Sequence, residues 1–184
     1  TYDKLANVVG IKRAAEKGLI LVPPDAPLPV SNIRANGITI NVTRHGMEVA
    51  GAPIDTPTYV TDHATKRLRL AETKINAVSR LGTNEPLMAL ALLRTSANTT
   101  FDYLVRVVPT GQIEDVITKF DGLIANAAKN ILQPATANAP HCSTSRWTTA
   151  LSILQQPIRC AGAGLTPLTV KAPAAFAACI LATA

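Results

Sequence analysis

Residues 110–132, TGQIEDVITKFDGLIANAAKNIL, decide the fold class. Ile113, Val116, Ile117, Phe120, Ile124, Ala127 and Ile131 recur at spacings of one, three and four. On a helix of about 3.6 residues per turn that spacing gathers them on one apolar face. Thr110 stands in the N-cap position of a helix predicted over 111–132. Glu114 and Asp115 fall in the first turn, where carboxylates complement the helix dipole. Upstream, TDHATKRLRLAETKINAVSRL at 61–81 repeats the pattern, with Thr61 or Asp62 as cap and Ala64, Leu68, Ala71, Ile75 and Val78 as the stripe. Two long amphipathic helices in one chain point to a mainly α fold.

The neighbouring segments extend that reading. Asn84 followed by Pro86 opens a helix, PLMALALLR, that is apolar nearly all round and is expected to be buried. FDYLVRVV from 101 gives a short third helix ending at Pro109. Gln133 and the run from Pro134 to Pro140 read as a linker. A helix containing Trp147 and TTALSIL follows, then a Gly/Pro-rich loop, QQPIRCAGAGLTPL, then a last helix from Ala172. At the other end, residues 1–22 read as a helix running into an extended GLILV, and PPDAPLP at 23–29 interrupts regular structure. GITINVTRHGMEV at 37–49 alternates apolar and polar residues about Arg44-His45-Gly46, which predicts a β-hairpin with that tripeptide at its tip, and GAPIDTP at 51–57 reads as a turn. Leu68, Ile75, Leu90, Leu93, Phe120 and Ile124 are the expected shared core.

Composition agrees with packed helices. Hydrophobic residues make up 47% of the chain but aromatic ones only 4%, leaving Ala, Leu, Ile and Val as the apolar mass rather than the aromatic mix of a β-sandwich. The formal net charge of +6 points to an anionic partner, nucleic acid foremost. Cys142, Cys160 and Cys179 are widely spaced without a C-x-x-C pair, which argues against a disulfide framework or a zinc site and for a reducing compartment. His45, His63 and His141 sit in no metal-binding or catalytic pattern, and GAGL at 162–165 is not a phosphate-binding loop. The Asn-x-Thr sequons at Asn41 and Asn98 read as chance. No apolar run reaches the roughly 18 residues of a membrane span, so no membrane partner is expected.

Three segments, in order, resemble the C-terminal, post-catalytic part of non-LTR retrotransposon reverse transcriptases. GMEVAGAPIDTPTYV at 46–60 is similar to the family's G-x-x-V-x-G-A-P-I-G hairpin at the end of the palm. ALALLRTSANTTFDYLVRVVPTGQIEDVITKFDGLI at 89–124 is similar to its thumb helices. QQPIRCAGAGLTPLTVKAPAAFAACI at 155–180 resembles the L-P-x-R-x-G-G-x-G-L … A-P-A-A-F segment beyond the thumb. The resemblance covers roughly residues 37–184 and implies a palm-end remnant with a β-hairpin over 1–60, a thumb-like helical bundle over 61–134, and a linker with a C-terminal helical segment over 135–184. There are departures. Asp55 stands where the family has Gly, Gln156 where it has Leu, and Ala161 where it has the first of two paired glycines; Ala163 separates Gly162 from Gly164.

Polymerases of this family join nucleotides with two metal ions held by Asp carboxylates. This chain has no Asp-Asp pair, and Tyr2-Asp3 is followed by Lys4. It is not expected to be an enzyme, nor to hold a metal or cofactor. The resemblance implies a basic thumb face toward a nucleic-acid backbone, which makes Lys66, Arg67, Arg69, Lys74 and Arg80 the candidate binding residues, joined by Arg44 and His45. The expected function is a non-catalytic, reverse-transcriptase-derived subunit that binds structured RNA, or serves structurally, beside other proteins of a ribonucleoprotein. The missing initiator Met and the cysteine pattern extend this to an intracellular, mitochondrial setting such as an organellar ribosome. Two alternatives stand beside it: a fragment of an active reverse transcriptase whose catalytic half lies outside this chain, and a protein–protein scaffold using the apolar helices at 84–97 and 172–184.

Overall fold

The computed structural model describes residues 19–22, 32–35, 38–132 and 144–183; the expected helix before Leu19, the breaks at 23–29 and 134–140, and His141-Cys142 lie outside them. The chain divides into two compact units, 1–59 and 60–184.

In the first unit, β3 (Ile38–Thr43) is the centre of a three-stranded sheet. It pairs in parallel with β1 (Leu19–Leu21) and antiparallel with β2 (Asn32–Ala35). A separate two-stranded ribbon joins β4 (Met47–Val49) to β5 (Ala52–Ile54), with Met47 opposite Ile54 and Val49 opposite Ala52. The hairpin expected over 37–49 therefore does not form. β3 and β4 belong to different sheets, and Arg44-His45-Gly46 is the connector between them. The true turn is Ala50-Gly51, where both residues have positive φ, +50° and +87°, as a two-residue type I′ turn requires. Within the stretch expected as a turn at 51–57, residues Ala52–Ile54 are instead strand β5. Pro53 is tolerated because a two-stranded ribbon consists of edges, where a strand residue can lack its N–H. In the connector, Thr43 Oγ1 accepts the His45 amide at 3.2 Å. Gly46, at φ +74°, lies against the Tyr59 ring so closely that a Cβ would stand 2.5 Å from Cγ.

The second unit is helical. Helix α1 (Pro57–Leu81) starts a turn before the predicted Thr61, because Pro57 presets the first helical φ and Thr56 Oγ1 accepts the Tyr59 amide at 3.5 Å. Its buried stripe is Val60, Ala64, Ala71 and Ile75, with Leu68 and Val78 half-buried beside them. Helix α2 (Pro86–Leu92) runs into a π turn, Leu93–Ala97, closed by the Asn98 amide on the Leu93 carbonyl at 2.8 Å. Short α3 (Leu104–Val107) and a 3₁₀ turn (Thr110–Gln112) lead to α4 (Glu114–Leu132). Thr110 opens that 3₁₀ turn instead of capping α4. The Ile113 amide bonds back to the Thr110 carbonyl at 3.1 Å, and the α-helical ladder begins with Ile117 on Ile113. Helix α5 (Thr144–Gln155), a 3₁₀ turn (Ile158–Cys160) and α6 (Leu168–Thr183) complete the chain.

The core is one cluster. Phe101 and Phe120 meet at 4.9 Å between ring centroids with a 50° tilt, among Ile75, Leu93, Ile117, Ile124 and Leu168. Of the six residues expected there, Ile75, Leu93, Phe120 and Ile124 are buried, while Leu68 and Leu90 pack half-buried on its edge. The expectation that α2 is buried fails. Leu87 is 83% exposed and Met88 is also exposed, with only Ala89 buried within the helix. An all-apolar window carries no phase, so it cannot say which side meets the core. α6 also begins before the predicted Ala172, for a reason that lies in α4.

Candidate nucleic-acid interface and the polar cluster at α6

All five cations proposed on α1 are exposed: Lys66, Arg67, Arg69, Lys74 and Arg80. They do not share one line. At about 100° per residue, Lys66, Arg69 and Arg80 point opposite the buried stripe, whereas Arg67 and Lys74, seven residues apart, run along its flank. Lys66 to Arg80 spans about 21 Å of helix axis at about 1.5 Å per residue. Leu70, also exposed, lies between the two rows. Arg44 and His45 are exposed in the connector of the first unit. The charge itself is uneven. Residues 60–184 carry twelve Lys and Arg against seven Asp and Glu, so five of the six net positive charges belong to the helical unit. Arg106, Lys119, Lys129 and Arg159 are exposed cations of that unit which the sequence reading did not single out. Arg106 lies in the last turn of short α3, Lys119 and Lys129 lie on α4, and Arg159 lies in the 3₁₀ turn at Ile158–Cys160, outside any periodic basic stripe.

A second polar group surrounds the start of α6. The Asp121 carboxylate, from the middle of α4, accepts the Leu168 amide at 2.7 Å, the Thr169 amide at 2.9 Å and the Thr169 hydroxyl at 2.8 Å. It performs the work of an N-cap from another helix, satisfying first-turn amides and placing a negative charge at the positive end of the dipole. Lys171 forms an ion pair with Asp102 at 2.6 Å and donates to the Asn98 carbonyl at 3.3 Å. Asn98, only 4% exposed, donates through Nδ2 to the Thr166 carbonyl at 3.4 Å. That burial removes Asn98 from reach of any modifying enzyme in the folded chain, while Asn41 is exposed in β3. Asn98 Oδ1 is buried without a hydrogen-bond partner, while the bonds and ion pair given above tie the start of α6 to the fold and read as its anchor.

Among the described residues no group of His, Cys, Asp and Glu could hold a metal ion, and no helix is long and apolar enough to cross a membrane. Compared with known protein families, curated proteins and solved structures, the chain shows no match. The reverse-transcriptase resemblance thus rests on the sequence motifs alone.

Proposed function

We propose that the chain is a non-catalytic module that holds structured RNA by its phosphate backbone, working beside other proteins in a ribonucleoprotein. One observation carries this reading: α1 presents five exposed cations over 25 residues, and none of them lies on the stripe that binds it to the core. Lys and Arg in such an array neutralise phosphates without reading bases. Among the aromatic side chains, Tyr103 is exposed. Phe101 and Phe120 are buried against each other, so base stacking is not available from them. The resemblance to a polymerase thumb, together with the missing carboxylate pair, supports a binding role over a catalytic one.

The test is binding of the 184-residue chain to a structured RNA across a salt series, beside a variant with Lys66, Arg67, Arg69 and Lys74 replaced by Gln. The log–log salt slope is expected to shrink by about 0.7–0.9 per lost phosphate contact. Negligible binding at low salt, or an unchanged slope in the variant, overturns the reading. The exposed Leu87 and Met88 of α2 would then favour a protein–protein scaffold.

A further inference from the structure

We infer that α6 is a self-association surface, through which two copies of this chain pair antiparallel about a two-fold axis passing between Ala175 and Phe176. Helix α6 sends Leu168 and Ala172 into the core and leaves the opposite side uncovered. Val170, Ala174, Ala177 and Leu181 line that outward side, all of them exposed, with Val170 at 66% and Leu181 at 78%. Their spacing of four, three and four is the seam of a helix pair, falling within about 60° of arc.

The order of sizes points to the occupant. The stripe is a palindrome: a large residue, two alanines, a large residue, symmetric about position 175.5. An isologous two-fold interface requires a surface to complement itself, with residue i meeting j and j meeting i. Running antiparallel, Val170 meets Leu181 of the partner subunit and Ala174 meets Ala177 of the partner subunit. The alanines at the centre allow close approach of the backbones, and the larger side chains close both ends. Charge agrees. From Ala172 to Thr183 the helix carries no ionisable side chain other than Cys179, and Lys171 is already paired with Asp102. Two chains of formal charge +6 repel over most of their surfaces, and this uncharged face is where they can meet without placing cation against cation. A single helix of about 24 Å from each copy buries less area than the ~1,600 Å² of a standard interface, so the pair is a weak, reversible dimer.

Sedimentation equilibrium of the 184-residue chain over a concentration series tests this. The weight-average mass is expected to rise from that of the monomer toward twice that value as concentration increases, and Leu181→Glu is expected to hold the chain at monomer mass with an unchanged far-ultraviolet circular dichroism spectrum. The double variant Val170→Glu with Leu181→Lys is expected to regain association, because antiparallel pairing sets each glutamate against a lysine. A chain that stays monomeric at every concentration overturns the proposal and leaves the face to a partner of another kind. Unchanged association in Leu181→Glu moves any dimer elsewhere, and a double variant that stays monomeric rejects the antiparallel arrangement. None of these measurements involves RNA, so they stand or fall apart from the binding reading.

Discussion

Asp121 and Leu168, 47 residues apart in the chain, are joined by a 2.7 Å hydrogen bond from the Leu168 amide to the Asp121 carboxylate. The same carboxylate also holds Thr169, so one side chain of α4 fixes where α6 begins. Replacing Asp121 with Ala is expected to lower stability by about 1–2 kcal/mol, the range of a lost helix cap, discounted for its partial exposure. Urea unfolding would measure it, and Glu114→Ala on an exposed first turn serves as the comparison. Equal costs for the two variants would show that the carboxylate is not capping α6.

Ala161 occupies the left-handed region, at φ +61° and ψ +19°. An L-residue there costs roughly 1–2 kcal/mol, of which a glycine gives back part through its looser unfolded state. Ala161→Gly is therefore expected to stabilise the chain by about 0.5–1 kcal/mol. Gly162 is the opposite case, since a Cβ there would stand 2.1 Å from the Gln156 carbonyl oxygen. Gly162→Ala is expected to cost at least ~1–3 kcal/mol. Thermal midpoints of the two single variants should move in opposite directions.

The packing of α4 admits a direct contrast with α2. Phe120→Ala removes a fully buried ring and its Phe101 partner contact, with an expected loss of about 3–5 kcal/mol. Leu87→Gln, on the exposed side of α2, should stay within about 0.5 kcal/mol of the parent. A large effect at Leu87 would mean that its face is covered in solution.

The two rows on α1 should separate in RNA binding. Lys66, Arg69 and Arg80 share the outward line, so their joint replacement by Gln is expected to reduce the salt slope by about 2–3, at roughly 0.7–0.9 for each contact. Arg67 and Lys74, on the flank, should account for less. Equal losses per residue in the two sets would place the backbone across the helix and not along it.

The helices were legible where one face of the sequence is apolar and the other is not. The stripes of 61–81 and 111–132 carry their own phase, and Ile75, Phe120 and Ile124 are buried accordingly. Local signals failed where the deciding contact is distant or the pattern is featureless. No window around 168 contains Asp121, so the true start of α6 was invisible. PLMALAL offers no polar side to orient it, and alternation across 37–49 concealed that Ala50-Gly51, not Arg44-His45-Gly46, forms the turn. The cations of α1 were readable individually, but their division into two rows follows from the actual position of the buried stripe. The anchor made by Asn98, Asp102 and Lys171 joins residues up to 73 positions apart and left no sequence signal.

The π turn at Leu93–Ala97 also settles a question of phase. Ala89, Leu93, Ala97, Phe101 and Val105 are all buried, at strict intervals of four. A straight α-helix overshoots a full circle by about 40° every four residues, so over this run such a series would swing by about 160° and carry its last members out toward water. The wider π turn, followed by the break before α3, takes up that excess and keeps the inward side inward. The segment thus behaves like the leap day of a calendar: one surplus residue, inserted in one place, keeps two unequal periods in step. A chain shortened by one residue within 93–97 would close an ordinary helix there and turn everything beyond it, Phe101 included, by about 100°.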